Sequence, residues 1–239
     1  MAFDKTRFGG VVAPIVNPCG EDDSLDRGAL EANLTRLLAT DVAGLYINGG
    51  TGDAANLTQD ERLETAALLV PRLLAAGKLA IVHVGQTNQR QAVELARQAA
   101  ALGAHAVASI PPKKPWPQIV EYYKALAAAG APVIVYYIPG VTGMTAGMPE
   151  LRMLLDIPGV AGIKMSDWNI FLLRSVVLEY PEKVVYSGFD EMLVPGLLYG
   201  ADGCIGTWAN LLPDLYAKVY ARVRAGGTDA VKPVMDEFT

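Results

Sequence analysis

The sequence predicts an α/β fold, a single (β/α)8 TIM barrel, from three observations. Short runs rich in β-branched residues recur roughly every 25 to 30 residues, and a stretch of helical periodicity follows each run. The runs are continuously apolar, as in strands covered on both faces. No run is followed by a GxGxxG turn and none has the character of an edge strand, which favours a closed barrel over an open doubly wound sheet.

The composition of the chain favours a small-molecule partner. Its 239 residues are 51% hydrophobic, which suffices for one globular domain with a large core. The net charge of -5 and the lack of a basic stripe argue against nucleic acid and anionic membranes as partners. Apolar runs are too short to span a bilayer and the N-terminus lacks a secretory apolar core, so we expect a cytoplasmic protein.

Eight strands are predicted, and they alternate with helices along the chain. Helix signals include the capping-box spacing of Thr58 and Glu61 and the helix-ending glycines Gly77 and Gly103. Pro14 lies inside the first strand, where we expect an irregularity because proline lacks an N–H group. We expect a catalytic barrel over residues 1–225 and a short tail over 226–239. The predicted strands are residues 10–17, 44–49, 79–85, 104–111, 132–139, 160–165, 183–188 and 202–207.

Lys164 is the first candidate for chemistry, because it lies in an otherwise apolar strand. In a (β/α)8 barrel the reactive groups lie at the C-terminal ends of strands and in the loops that follow. A buried, neutral lysine amine is a nucleophile towards ketones. The alternative is that Lys164 reaches outward to solvent or pairs with Asp167 or Asp190.

Tyr136 and Tyr137 close the fifth strand, and only one of them can face the barrel interior because neighbouring strand residues point to opposite sides. A phenol in the interior could move protons by general acid–base catalysis. We expect Tyr136 to occupy that position and Tyr137 to pack between the barrel and its helices.

Three further segments lie at the same end of the barrel. The loop Gly49-Gly50-Thr51-Gly52 could present amide N–H groups and one hydroxyl to a carboxylate. Residues 187–191 and 203–207 complete the rim, where Asp190 could bind substrate hydroxyls or merely cap the next helix. No metal site is expected, because His83 and His105 are on other strands. The two cysteines have no CxxC spacing, so we expect ordinary buried thiols.

Taken in order, these segments resemble the dihydrodipicolinate synthase and N-acetylneuraminate lyase family over essentially the whole chain. That family is characterised by a Gly-rich Ser/Thr-Thr-Gly-Glu loop, a Tyr-Asn-x-Pro strand, a Gly-x-Lys strand and a late Gly-x-Asp-Glu segment. The corresponding segments here are Gly49 to Asp53, Tyr136 to Pro139, Gly162 to Lys164, and Gly188 to Glu191.

The resemblance implies a class I aldolase that uses no metal or organic cofactor. By that resemblance Lys164 forms an imine with pyruvate or the pyruvyl end of a longer 2-oxo acid, Tyr136 relays protons, and Thr51 with the loop amides holds the carboxylate. Ile205 would pack against the pyruvyl group. The remaining substrate-binding residues that the resemblance implies are Gly50, Ser166, Gly188, Asp190, Glu191 and Thr207.

The late segment favours an N-acetylneuraminate lyase-like enzyme acting on a hydroxylated 2-oxo acid. Dihydrodipicolinate synthase and a 2-oxo-3-deoxy sugar-acid dehydratase are the alternatives within enzymes. A non-catalytic 2-oxo-acid-binding barrel is the alternative of another class.

Three features depart from the family pattern. Gly50 stands where relatives carry a serine or threonine that joins the tyrosine in proton relay, so one hydroxyl is missing. Residues 111–116 replace the segment that supplies a tyrosine across a subunit interface, although a homo-oligomer is still expected. Relatives continue through several more helices, so the C-terminal helical extension is expected to be largely absent.

Overall fold

The computed structural model describes residues 3–226 and Lys232, and it confirms the closed barrel. Within these residues, eight parallel strands pair in the order of the chain, and the last strand pairs with the first. The closure leaves no sheet edge in the described barrel, as the sequence predicted. The strands are β1 Gly10–Pro14, β2 Gly44–Ile47, β3 Leu79–His83, β4 Ala106–Ser109, β5 Val133–Tyr137, β6 Val160–Met165, β7 Val184–Ser187 and β8 Gly203–Cys204.

Helices surround the strands, and 3-10 turns cover Lys5–Phe8 and Thr207–Asn210. The predicted capping box at the start of the second helix is confirmed, because the Thr58 side chain accepts from the Glu61 N–H and the Glu61 carboxylate accepts from the Thr58 N–H. Gly77 and Gly103 follow helix ends with positive φ, as expected. The helices are α1 Arg27–Leu38, α2 Gln59–Ala75, α3 Gln89–Ala101, α4 Trp116–Ala127, α5 Pro139–Thr142, α6 Met148–Leu155, α7 Ile170–Glu179, α8 Leu193–Leu198 and α9 Pro213–Arg224.

All eight predicted strands exist, but most are shorter than predicted. The residues that were predicted as strand but lie outside the observed strands are mainly at the C-terminal ends, where the chain leaves the ladder and forms the loops around the barrel mouth. The predicted tail, residues 226–239, lies outside the described residues apart from Gly226 and Lys232.

Pro14 ends β1 and keeps its regular pairing with Tyr46 of β2, so the irregularity expected at this proline is confined to the side that faces β8. The β1–β8 ladder contains only the pairs Gly10 with Gly203 and Val11 with Cys204, so it stops before Pro14. The Pro14 carbonyl instead accepts a hydrogen bond from Asn210 Nδ2 at 2.7 Å. A missing N–H group therefore costs no ladder bond at this position.

Apolar side chains form two clusters, one between the strands and helices and one inside the barrel. Residues of the inner cluster alternate along the strands with residues of the outer one, as period-two geometry requires. Cys204 is buried, whereas Cys19 is exposed, so the prediction of two buried thiols is wrong for Cys19. In the described part of the chain, none of the helices combines the length and apolar character needed to cross a bilayer.

Candidate active site

A cavity of about 380 Å³ opens at the C-terminal end of the barrel. The loops that follow the strands form its rim, where catalytic groups of this fold lie. All ten candidate residues from the sequence line this cavity: Gly50, Thr51, Tyr136, Lys164, Ser166, Gly188, Asp190, Glu191, Ile205 and Thr207.

Lys164 projects from β6 into the barrel and is only 5% exposed. Its Nζ lies 4.2 Å from the ring centroid of Tyr136 and 4.9 Å from that of Tyr46. Among the described residues no carboxylate forms an ion pair with Lys164. The alternatives of an outward side chain or a pair with Asp167 or Asp190 are therefore wrong, and aromatic faces surround the amine instead.

Tyr136 and Tyr137 divide as predicted between the two sides of β5. Tyr136 belongs to the cluster inside the barrel and lines the cavity. Tyr137 belongs to the outer cluster, and its hydroxyl accepts from the Ala146 N–H at 3.1 Å. Of these two tyrosines, Tyr136 is therefore the one that can exchange protons with a molecule in the cavity.

Ser166 and Gly188 lie beside the Tyr136 phenol and the Lys164 side chain. Ser166 Oγ donates to the Tyr136 hydroxyl at 3.3 Å, and the serine is 1% exposed. A Cβ added at Gly188 would overlap Ser166 Oγ and would lie 3.0 Å from Lys164 Cε. Glycine at position 188 therefore leaves the room that the serine hydroxyl occupies.

The glycine-rich loop after β2 is held from below by buried amides. Asn48 has a φ of 57°, and its Nδ2 donates to the Arg62 carbonyl, while Asn17 Nδ2 donates to the Gly52 carbonyl at 2.7 Å. A Cβ at Gly49 would lie 2.7 Å from the Tyr46 ring, whereas a Cβ at Gly50 would meet nothing within 4 Å. The missing hydroxyl at Gly50 therefore leaves open space on the cavity side.

Asp190 lines the cavity, but its carboxylate accepts hydrogen bonds from other residues of the protein. It accepts from the Thr207 N–H at 3.0 Å, from the Trp208 N–H at 3.2 Å and from the Tyr216 hydroxyl at 2.6 Å. Burial raises the pKa of Asp190, and these hydrogen bonds oppose that increase. No side chain caps α8, so the helix-cap alternative for Asp190 is wrong.

Two residues that the sequence reasoning did not assign to the site are Tyr46 and His83. Tyr46 lines the cavity from β2, and burial raises its pKa well above the usual range. His83 packs behind it, with ring centroids 6.0 Å apart, and its Nε2 accepts from the Ile110 N–H. Burial, followed by the charges of Arg62 and Lys164, lowers the His83 pKa to about 3. The period-two rule that placed Tyr136 would have placed both residues if applied to β2 and β3.

Metal ligands do not converge in the described part of the chain, where no three His, Cys, Asp or Glu side chains form a group that could hold an ion. His105 is half-buried, and its Nδ1 accepts from the Ala80 N–H. The cavity itself is lined by an amine, phenols, hydroxyls and carboxylates.

Known proteins resemble this chain in sequence over most of its length. An N-acetylneuraminate lyase from Rhizobium meliloti is 34% identical over 223 residues, covering 91% of this chain and 73% of that protein. An N-acetylneuraminate lyase from Escherichia coli is 27% identical over 238 residues, covering 97% and 80%.

Solved structures agree with these relatives. The N-acetylneuraminate lyase of Mycoplasma synoviae superimposes with a TM-score of 0.91 at 25% identity, covering 98% of this chain and 81% of that one. YagE, an Escherichia coli K12 prophage protein of the dihydrodipicolinic acid synthase family in complex with pyruvate, gives 0.89 at 25% identity, covering 95% and 79%.

A closed (β/α)8 barrel with these relatives defines an enzyme of the class I lyases and aldolases, which work through a lysine Schiff base. The profile of the dihydrodipicolinate synthetase family matches residues 7–238. The chain belongs to that family.

Proposed function

We propose that this enzyme cleaves or forms the carbon–carbon bond between pyruvate and an aldehyde, with Lys164 as its Schiff-base lysine. The observation that carries the proposal is the burial of Lys164 within a cavity lined by every candidate residue. The relatives named N-acetylneuraminate lyase support a hydroxylated 2-oxo acid as the longer substrate. The pyruvate bound in the YagE structure supports pyruvate as the shorter one.

In the first step, the Lys164 amine attacks the C2 carbonyl of the 2-oxo acid, and Tyr136 gives its phenol proton to the departing oxygen, so that water leaves, the iminium forms and Tyr136 becomes a phenolate. The rings of Tyr46 and Tyr136, 4.9 and 4.2 Å from Nζ, exclude water from the amine and stabilise positive charge that develops at the nitrogen. Ile205 is 1% exposed and would pack against the pyruvyl group.

In the second step, the iminium nitrogen accepts the electron pair of the breaking C3–C4 bond. Tyr136, whose ring is beside Nζ, takes the proton of the C4 hydroxyl, and the aldehyde leaves. Tyr136 then returns this proton to C3 of the enamine, and water hydrolyses the resulting iminium to release pyruvate and free Lys164, with the phenol of Tyr136 protonated again. Every step is reversible, so Tyr136 also removes a C3 proton when pyruvate alone is bound.

The rest of the cavity is proposed to hold the two ends of the substrate. The Thr51 hydroxyl and the loop beginning at Gly50 would bind the carboxylate. Thr207 and Glu191 would bind hydroxyls of the aldehyde half, while Asp190 would act mainly by fixing the backbone that carries Thr207. Assembly into a homo-oligomer stays a prediction.

The test is reduction by borohydride in the presence of pyruvate, followed by intact and peptide mass analysis. A pyruvyl adduct confined to Lys164, and lost in Lys164→Ala, is the expected result. Lys183→Ala is the matched control, because Lys183 is also partly buried but its Nζ donates to the Val160 carbonyl. Adducts spread over surface lysines, or none at all, would contradict the proposal.

A further inference from the structure

We infer that Ser166 is a positioning residue that acts through Tyr136. Its hydroxyl donates to the Tyr136 oxygen and so stabilises the negative charge that this oxygen carries whenever Tyr136 has given up its proton. The inference rests on the proposed function, because it requires Tyr136 to move protons in the cavity. Ser166 itself forms and breaks no covalent bond.

The backbone fixes where the serine hydroxyl lies. Ser166 follows the last residue of β6, and its N–H donates to the Tyr137 carbonyl at 2.9 Å, which continues the β5–β6 pairing by one more bond. This bond ties the serine backbone to the strand that carries Tyr136. The two side chains are therefore held together by the barrel ladder rather than by a mobile loop.

Gly188 makes the contact between the two hydroxyls possible. Its N–H donates to the Met165 carbonyl at 2.8 Å, which brings the end of β7 close to the end of β6. Any side chain at position 188 would overlap Ser166 Oγ, so alanine there would displace the hydroxyl from Tyr136. Gly188 thus leaves space for the Ser166 hydroxyl, a role that does not require contact with substrate.

The direction of the hydrogen bond between Ser166 and Tyr136 determines which hydroxyl proton is available to a bound molecule. Since Ser166 donates to the Tyr136 oxygen, the phenol proton remains free to be passed to a molecule in the cavity. Gly50 supplies no hydroxyl, and among the described residues Ser166 is the side chain that hydrogen-bonds to the Tyr136 phenol. Loss of a hydrogen bond to a charged oxygen is expected to slow a proton transfer by about 10- to 100-fold.

The experiment follows exchange of the pyruvate methyl protons for deuterium in D2O by NMR, at saturating pyruvate. This exchange requires the imine and proton transfer at C3, but no aldehyde. Ser166→Ala and Tyr136→Phe are each expected to slow it by about 10-fold or more. The double variant is expected to be no slower than Tyr136→Phe, because a residue that acts through Tyr136 has nothing to act on once the phenol is gone.

A matched control removes a serine hydroxyl from a second Ser–Tyr pair. Ser109 Oγ lies 2.8 Å from the Tyr122 hydroxyl, is equally buried and does not line the cavity, so Ser109→Ala is expected to leave exchange at the wild-type rate. Wild-type exchange in Ser166→Ala would overturn the inference. So would a double variant slower than Tyr136→Phe by the full Ser166 factor.

Borohydride trapping separates this inference from the proposed function. Ser166→Ala should still form the pyruvyl adduct on Lys164, with a changed exchange rate but intact trapping at saturation. If the wild-type protein itself forms no adduct, the proposed function fails. If trapping succeeds and exchange is unaffected by Ser166→Ala, only the inference about Ser166 fails.

Discussion

Thr51 and Thr207 share a hydrogen bond of 2.8 Å between their hydroxyl oxygens, and this bond joins the loop after β2 to the 3-10 turn that follows β8. A bound carboxylate would take the Thr51 hydroxyl from this partner. Thr51→Val is therefore expected to weaken pyruvate binding by about 10-fold or more while changing the saturated rate little. The measurement is the pyruvate dependence of borohydride inactivation.

The matched variant for that prediction is Thr207→Val, which also breaks the Thr51–Thr207 bond. It should leave pyruvate affinity nearly unchanged and affect only the longer substrate. Equal loss of pyruvate affinity in both variants would show that the bond itself, rather than the Thr51 hydroxyl, prepares the site.

A hydroxyl can be introduced at position 50, because a Cβ added to Gly50 meets nothing within 4 Å. Gly50→Ser is expected to fold with an unchanged melting temperature and to increase the rate of methyl-proton exchange in pyruvate. Gly49→Ser is the contrasting variant, because its Cβ would lie 2.7 Å from the Tyr46 ring and should destabilise the protein. Calorimetry and exchange kinetics on both variants measure these effects, and a destabilised Gly50→Ser protein would contradict the first.

His83 makes stability depend on pH, because burial lowers its folded pKa from 6.5 to about 3. Between these values the unfolded chain binds a proton that the folded protein excludes, so stability is lost as pH falls from 6.5 towards 3. At pH 5 the loss from this group is about 2 kcal/mol. Urea titrations at pH 7 and pH 5 should show a smaller decrease in His83→Asn than in the wild-type protein.

The pH dependence of His83→Asn has to be compared with that of the wild-type protein, because Asp190 changes stability with pH in the opposite direction. Burial raises its folded pKa, so its contribution to stability increases as pH falls. An equal pH dependence in His83→Asn and wild type would contradict the assignment to His83.

Asp190 and Glu191 are adjacent carboxylates for which we predict different consequences of substitution. Asp190→Ala would leave the Thr207 and Trp208 N–H groups and the Tyr216 hydroxyl without this acceptor. We expect a loss of about 1–3 kcal/mol in the free energy of unfolding, together with reduced affinity for the longer substrate. Glu191→Ala removes an exposed side chain and should reduce that affinity without a loss of stability. Denaturant titration with substrate kinetics distinguishes the two, and equal stabilities would contradict the prediction.

The sequence predicted the barrel well because its signals are local and repeated. The alternation of strand and helix patterns, the capping box at Thr58 and the isolated Lys164 each depend on residues close together in the chain. The division between Tyr136 and Tyr137 also follows from strand geometry alone. The same rule had enough information to place Tyr46 in the cavity, but no motif drew attention to that residue.

Other features depend on contacts between distant segments, which no local pattern encodes. The three donors to the Asp190 carboxylate come from residues 17 to 26 positions later in the chain. The short β8 and the side-chain bond from Asn210 to Pro14 arise where the first and last strands meet. These features could be obtained only once the barrel had closed in three dimensions.

The strand ladders on the two sides of the cavity differ in length, and the ladder between β1 and β8 is among the shortest. Two residue pairs and one asparagine amide close the barrel there, whereas β5, β6 and β7 are joined by longer ladders that carry Tyr136 and Lys164. The β7–β8 ladder also contains only two residue pairs, so thermal opening should begin around β8 and release Thr207 before it disturbs the amine and phenol. The bond-breaking groups lie on strands with the longer ladders, whereas Thr207, proposed to bind the aldehyde half, follows the strand with the shortest ladders.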